Sequence, residues 1–93
     1  VFWRAVREAG APGAAVLVMD LFRPASAAAA QAIVDQYAAN EPEVLRLDFL
    51  ASLCAAFEPD EIRAQLQAHG LDGFSVRTVS DRHLLITGRL PPR

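Results

Sequence analysis

Residues 14–21 read Ala-Ala-Val-Leu-Val-Met-Asp-Leu. The run is apolar without alternation up to Met19. Gly10, Pro12 and Gly13 precede it, and Arg23-Pro24 follow it. A short apolar run closed by turn formers predicts a strand, and the missing alternation predicts burial on both faces, as in the middle of a parallel sheet. Asp20 breaks the run at its carboxyl end. Pro24 carries no amide hydrogen to add to a ladder, so the strand stops before it.

The flanking sequence reads as helices. Upstream, Phe2, Trp3 and Val6 fall at helical spacing over Phe2–Ala9, with Arg4, Arg7 and Glu8 on the other side. Downstream, Ser26 is an N-cap for a helix over 26–39, in which Ala30, Ile33, Val34 and Tyr37 make one face. A third helix over 41–56 is apolar almost all round, which predicts that it is buried on most sides or covers a pocket. Pro59 starts a fourth helix at the position proline favours. Glu61 stands where a capping-box carboxylate belongs, but Glu58 is a poor cap and leaves the box incomplete on paper. Gly70 ends that helix, with Leu71 folding back on Leu66. Two strands close the chain, over 74–79 and 83–90. The short link Ser80-Asp81-Arg82 makes them an antiparallel hairpin. The order is helix, strand, three helices, strand, strand: an α/β chain. Its first two strands are parallel across a long right-handed helical crossover.

The chain has 93 residues, so residues 1–93 are read as a single small domain. Hydrophobic residues make up 53% and charged residues 22%, a globular balance. The net charge is -2, and all nine basic residues are arginines scattered along the chain. That argues against nucleic acid as a partner, because its binders carry a basic stripe. The apolar runs fall far short of a membrane span, and no stretch has the form of a signal peptide. The one cysteine, Cys54, lies in an apolar stretch and reads as a small buried hydrophobe in a reducing compartment, hence a cytoplasmic expectation. Val1 opens the sequence instead of Met, which fits a GTG start, a trimmed chain or a partial gene.

Catalytic sets are scarce. The sequence has no GxGxxG and no glycine-rich phosphate loop. His69 and His83 have no ligand-spaced companions, so no metal site is expected. Ser80, Asp81 and His83 make a triad on paper, but crowded into one hairpin they read better as turn residues. No catalytic residue is assigned. The informative segment is Asp20-Leu21-Phe22-Arg23-Pro24. Ligands of open parallel sheets bind outside the carboxyl ends of the strands, where Asp20 and Arg23 fall. The plainer reading has Asp20 capping the next turn and pairing with Arg23.

The run FWRAVREAGAPGAAVLVMDLFRP, from Phe2 to Pro24, resembles the late region of class I methyltransferases that use S-adenosylmethionine. So do DFLASLCAAFEPDEIRAQLQAHGLDGF, from Asp48 to Phe74, and the closing SVRTVSDRHLLITGRL, from Ser75 to Leu90. The resemblance implies a partial Rossmann-like sheet in which residues 14–21, 74–79 and 83–90 are the fifth, sixth and seventh strands. The last is antiparallel and lies between the other two. It also implies that Asp20, Phe22 and Arg23 lie on the acceptor side of the cleft, as substrate-binding residues for a small-molecule acceptor. The family holds its cofactor on a glycine-rich loop after the first strand and an acidic residue after the second. Neither is in this sequence, so no cofactor-binding residue carries over, and none is expected for this chain alone. The expectation is a carboxyl-terminal methyltransferase fragment, inactive alone. The alternative is a free-standing, non-catalytic binding or dimerisation module derived from that fold. In either case strand 14–21 has lost its neighbour. Its partner is the missing amino-terminal half or a second copy, because a bare apolar edge aggregates.

Overall fold

The computed structural model describes residues 2–92. Its elements run α1 (Phe2–Ala9), β1 (Ala15–Leu21), α2 (Ala27–Tyr37), α3 (Glu43–Ala55), α4 (Pro59–Ala68), β2 (Ser75–Thr78) and β3 (His83–Arg89). The described residues are mixed α/β, with four helices and one three-stranded sheet. The strand order is β1-β3-β2, and both pairings are antiparallel, so β1 and β2 run parallel on either side of β3. Register runs from Ala15 opposite Arg89 to Leu21 opposite His83, and from Ser75 opposite Thr87 to Thr78 opposite Leu84.

Local chemistry sets each end. Ser26 Oγ accepts from Ala29 N–H at 3.0 Å and starts α2. Ala11-Pro12-Gly13-Ala14 form a tight turn, with Ala14 N–H donating to Ala11 O at 3.0 Å and Gly13 at φ 77°. Proline followed by a positive-φ glycine is the type II pattern. Gly70, at φ 71°, ends α4. Leu71 N–H donates to Leu66 O at 2.7 Å and Gly70 N–H to Gln67 O at 3.1 Å, a Schellman arrangement. The capping box of α4 is complete after all. The Glu58 side chain accepts from the Glu61 backbone N–H, while Glu61 Oε1 accepts from Glu58 N–H at 2.8 Å. A carboxylate one methylene longer than aspartate still reaches that amide.

The main core lies on one face of the sheet. Trp3 of α1, Ile62 and Leu66 of α4, and Leu71 pack on Val76, Leu84 and Ile86, with Val16 and Val18 at the margin. Trp3 is edge-on to Phe74 at 6.3 Å. Phe74 in turn fills the space over Gly88, where an added Cβ would lie 2.4 Å from its ring. Arg7 Nη1 donates to His69 O at 2.7 Å and holds α1 against the end of α4. Arg63 Nη2 donates to Val76 O at 2.8 Å and holds α4 on β2.

The other face of β1 is bare, which corrects the expectation of burial on both faces. Leu17 is 70% exposed and Met19 59%. The reason is position: β1 ends the sheet, and α1 and α4 cover one side only. A continuous apolar run reports what a strand is built to touch, not what this chain supplies.

A second, smaller cluster joins Ala30, Ile33, Val34, Ala38 and Leu53, with Leu21, Phe49 and Leu50 around it. Only the carboxyl-terminal half of α3 reaches it. Val44, Leu45 and Leu47 are exposed, so α3 is not buried on most sides. Cys54 is exposed as well, since its neighbour Leu53 takes the inward position. Two clusters in line give an elongated molecule of 48 × 22 × 21 Å. Its radius of gyration is 15.4 Å, against about 12 Å for a compact chain of this length.

Gly88→Ala is expected to destabilise the chain by about 1–3 kcal/mol, because Phe74 must leave its place over the glycine. Urea unfolding followed at Trp3 measures this, and a change below about 0.5 kcal/mol would show that the ring is free to move aside.

Candidate functional site

β1 delivers its last residues to the junction between the two clusters. Phe22 N–H donates to Arg82 O at 3.0 Å, and Leu90 N–H donates to Ala14 O at 2.9 Å. Even-numbered backbone groups of β1 therefore face β3, while odd-numbered ones point outward along the free edge. At Leu21 that outward amide is occupied: Asp20 Oδ1 accepts from it at 2.8 Å. Asp20 is thus a local cap at the strand end, exposed to solvent.

Arg23 does not pair with Asp20. Its Nη2 reaches Glu61 Oε1 at 2.9 Å and Glu58 Oε1 at 3.2 Å. Its backbone N–H donates to Phe57 O at 3.1 Å. The two carboxylates of the α4 cap therefore hold the guanidinium, which lies 38% exposed. Phe22 packs at the margin of the main core. Phe22 and Arg23 share an open groove of about 410 Å³ with Glu58, Asp60 and Arg63. A smaller one of about 190 Å³ lies on the other side of Arg23, against Ser26, Ala27 and Cys54. Asp20 lines neither. Of the three residues placed on the acceptor side, two are brought together in one groove and the third is outside it. Asp60 and Arg63, 2.8 Å apart, complete the charged rim and went unnoticed in sequence, where they read as ordinary helix-surface residues.

A second polar cluster joins α2 to the β2–β3 hairpin. Tyr37 Oη donates to Asp81 Oδ2 at 2.9 Å, Arg82 Nη1 donates to Asp81 Oδ1 at 2.9 Å, and the Arg82 guanidinium lies 3.7 Å from the centre of the Tyr37 ring. Tyr37 is 46% exposed and is spent on this contact, not on the helix face assigned to it from its spacing. Ser80 Oγ lies 3.0 Å from His83 Nδ1 and accepts from the N–H groups of Arg82 and His83. Asp81 bonds to Tyr37 and Arg82, away from that histidine. The three residues of the paper triad are turn residues, and no nucleophile–base–orienter chain forms.

A wider groove of about 620 Å³ lies at the opposite end of β1, between α1 and the end of α4. Its arginines are engaged, Arg4 with Glu8 at 3.2 Å and Arg7 with His69 O. Among the described residues no group of three or more His, Cys, Asp or Glu is placed to hold a metal ion. The two positive-φ glycines serve a turn and a helix end, and neither opens onto a helix N-terminus. Among the described residues no helix is long and apolar enough to cross a membrane.

No family model matches the chain, and neither a curated protein nor a solved structure gives a significant match to it.

Asp81 titrates below the usual carboxylate value of 3.8. Desolvation pushes its pKa up but is outweighed by the hydrogen bonds from Tyr37 and Arg82 and by the Arg82 charge. A depressed folded pKa means stability present above the unfolded value, about 3.9, and lost as pH falls through the lower folded value. The melting temperature of Asp81→Asn should therefore fall less steeply than wild type in that acid range. Parallel acid limbs in a pH series of melts would show that the Asp81 contacts carry no net stability.

Proposed function

We propose that this chain is the carboxyl-terminal part of a Rossmann-like, S-adenosylmethionine-dependent methyltransferase, contributing the acceptor side of the cleft and one edge of the sheet, and inactive alone. The observation that carries the reading is the sheet order. Two parallel strands, joined by a long helical crossover, flank a final strand antiparallel to both. This is the arrangement that the resemblance of residues 2–90 implies for the end of that sheet. The bare, apolar face of β1 supports it from another side, since Leu17 and Met19 suit a strand covered on both faces. Phe22 and Arg23 are the acceptor-side residues of this reading, and Asp20 is kept as a strand-end cap beside them. Methyl transfer rests on positioning donor against acceptor. A chain without the donor site has one half of that geometry. The intact enzyme acts on a small-molecule acceptor in the cytoplasm.

The test is the genomic DNA immediately upstream of Val1, followed by calorimetry. An in-frame extension encoding a strand, a glycine-rich loop and a helix is expected. The extended chain should bind S-adenosylmethionine, and the 93-residue chain should not. A saturable rise in melting temperature of the 93-residue chain with S-adenosylmethionine would overturn the assignment of the missing site.

The free edge of β1 favours a second reading, a free-standing dimerisation module in which β1 pairs with a second copy. A stop codon just before Val1 would select it. Light scattering should then show a dimer that Leu17→Lys converts to monomer. A monodisperse wild-type monomer at high concentration would exclude that pairing.

A further inference from the structure

α2 and α3 pack on each other, and neither makes an extensive contact with a strand. The segment that holds them leaves the sheet at Arg23 and returns at Phe57. At that point the two crossing strands of chain lie side by side, with Arg23 N–H donating to Phe57 O at 3.1 Å. Pro24 is buried in this neck and stiffens it. The helical hairpin thus has its own small apolar cluster, a two-stranded neck, and a polar contact with the far part of the molecule at Tyr37–Asp81–Arg82.

We infer that the α2–α3 hairpin is a hinged unit, pivoting at the Arg23–Phe57 neck and latched to the β2–β3 turn through Tyr37, Asp81 and Arg82. The inference rests on this geometry and not on the methyltransferase reading. Three features carry it. The hairpin's internal contacts survive a rigid swing, because Ala30, Ile33, Val34 and Leu53 belong to the hairpin itself. The latch is solvent-facing, so breaking it leaves no polar group stranded in an apolar interior. Leu21 is the residue of β1 that packs against the hairpin cluster, so a swing uncovers the carboxyl end of β1 and little else. The geometry is that of hinge closure: a few backbone positions absorb the rotation and the packed pieces move whole.

Spin-label distance measurements test this in the 93-residue chain with Cys54→Ser as background. One label pair, Gln36→Cys with Arg77→Cys, spans the latch, and a control pair, Ala32→Cys with Ser52→Cys, lies within the hairpin. All four positions are exposed. Tyr37→Phe keeps the ring and removes the hydroxyl that Asp81 accepts from. In that variant the longer-distance population of the latch pair should rise roughly 3- to 10-fold, the effect of one lost hydrogen bond, with the control distance unchanged. An unchanged latch distance would overturn the inference. So would broadening of the control pair, because the hairpin would then be unfolding instead of swinging.

Discussion

Everything in this chain depends on β3 having a partner on each side. It is hydrogen-bonded to β1 over seven residue pairs and to β2 over four. β1 and β2 do not pair with each other, so β3 is what makes them one sheet. The same strand supplies Leu84 and Ile86, both essentially fully buried, to the main core. Each residue of β3 therefore carries a ladder and, at alternate positions, the packing of α1 and α4. Gly88 shows how closely this is built: the strand gives up a side chain there so that Phe74 can lie across it.

The helices divide by what they touch. α1 and α4 are fastened to the sheet and to each other by apolar packing reinforced at fixed points, Arg7 on His69 O and Arg63 on Val76 O. α2 and α3 are fastened chiefly to each other. Arg23 stands where the two halves meet, its backbone on Phe57 and its side chain on the α4 cap. Exposed ion pairs of this sort contribute little stability, so what Arg23 supplies is direction, setting how the chain turns from β1 into α2.

Most of the element order was legible in sequence because it rests on local signals. Pro12-Gly13, Ser26, Pro59 and Gly70 each act within a turn of their own position, and each performs in the structure the role its chemistry dictates. Burial was less legible. Val44, Leu45, Leu47, Leu17 and Met19 are apolar and exposed, because what covers an apolar residue is decided by parts of a fold that hydrophobic pattern does not encode. The candidate site was half legible. Strand direction alone points to Arg23, together with Asp20, and the family resemblance adds Phe22. The partners of Arg23 come from residues 35 and 38 positions further on, and Tyr37 meets Asp81 across 44. Such pairings depend on how elements dock, which no local spacing reveals.

β3 is central in space and follows both of its partners in sequence. During synthesis the nascent chain emerges with β1 and β2 already made while the strand that joins them is still in the ribosomal tunnel. Until β3 emerges, β1 offers a row of unpaired amides, and the exposed Leu17 and Met19, to whatever surrounds it. The order of translation thus runs against the order of assembly, and the sheet closes in one late step. Loss of β3 would leave two strands with nothing between them.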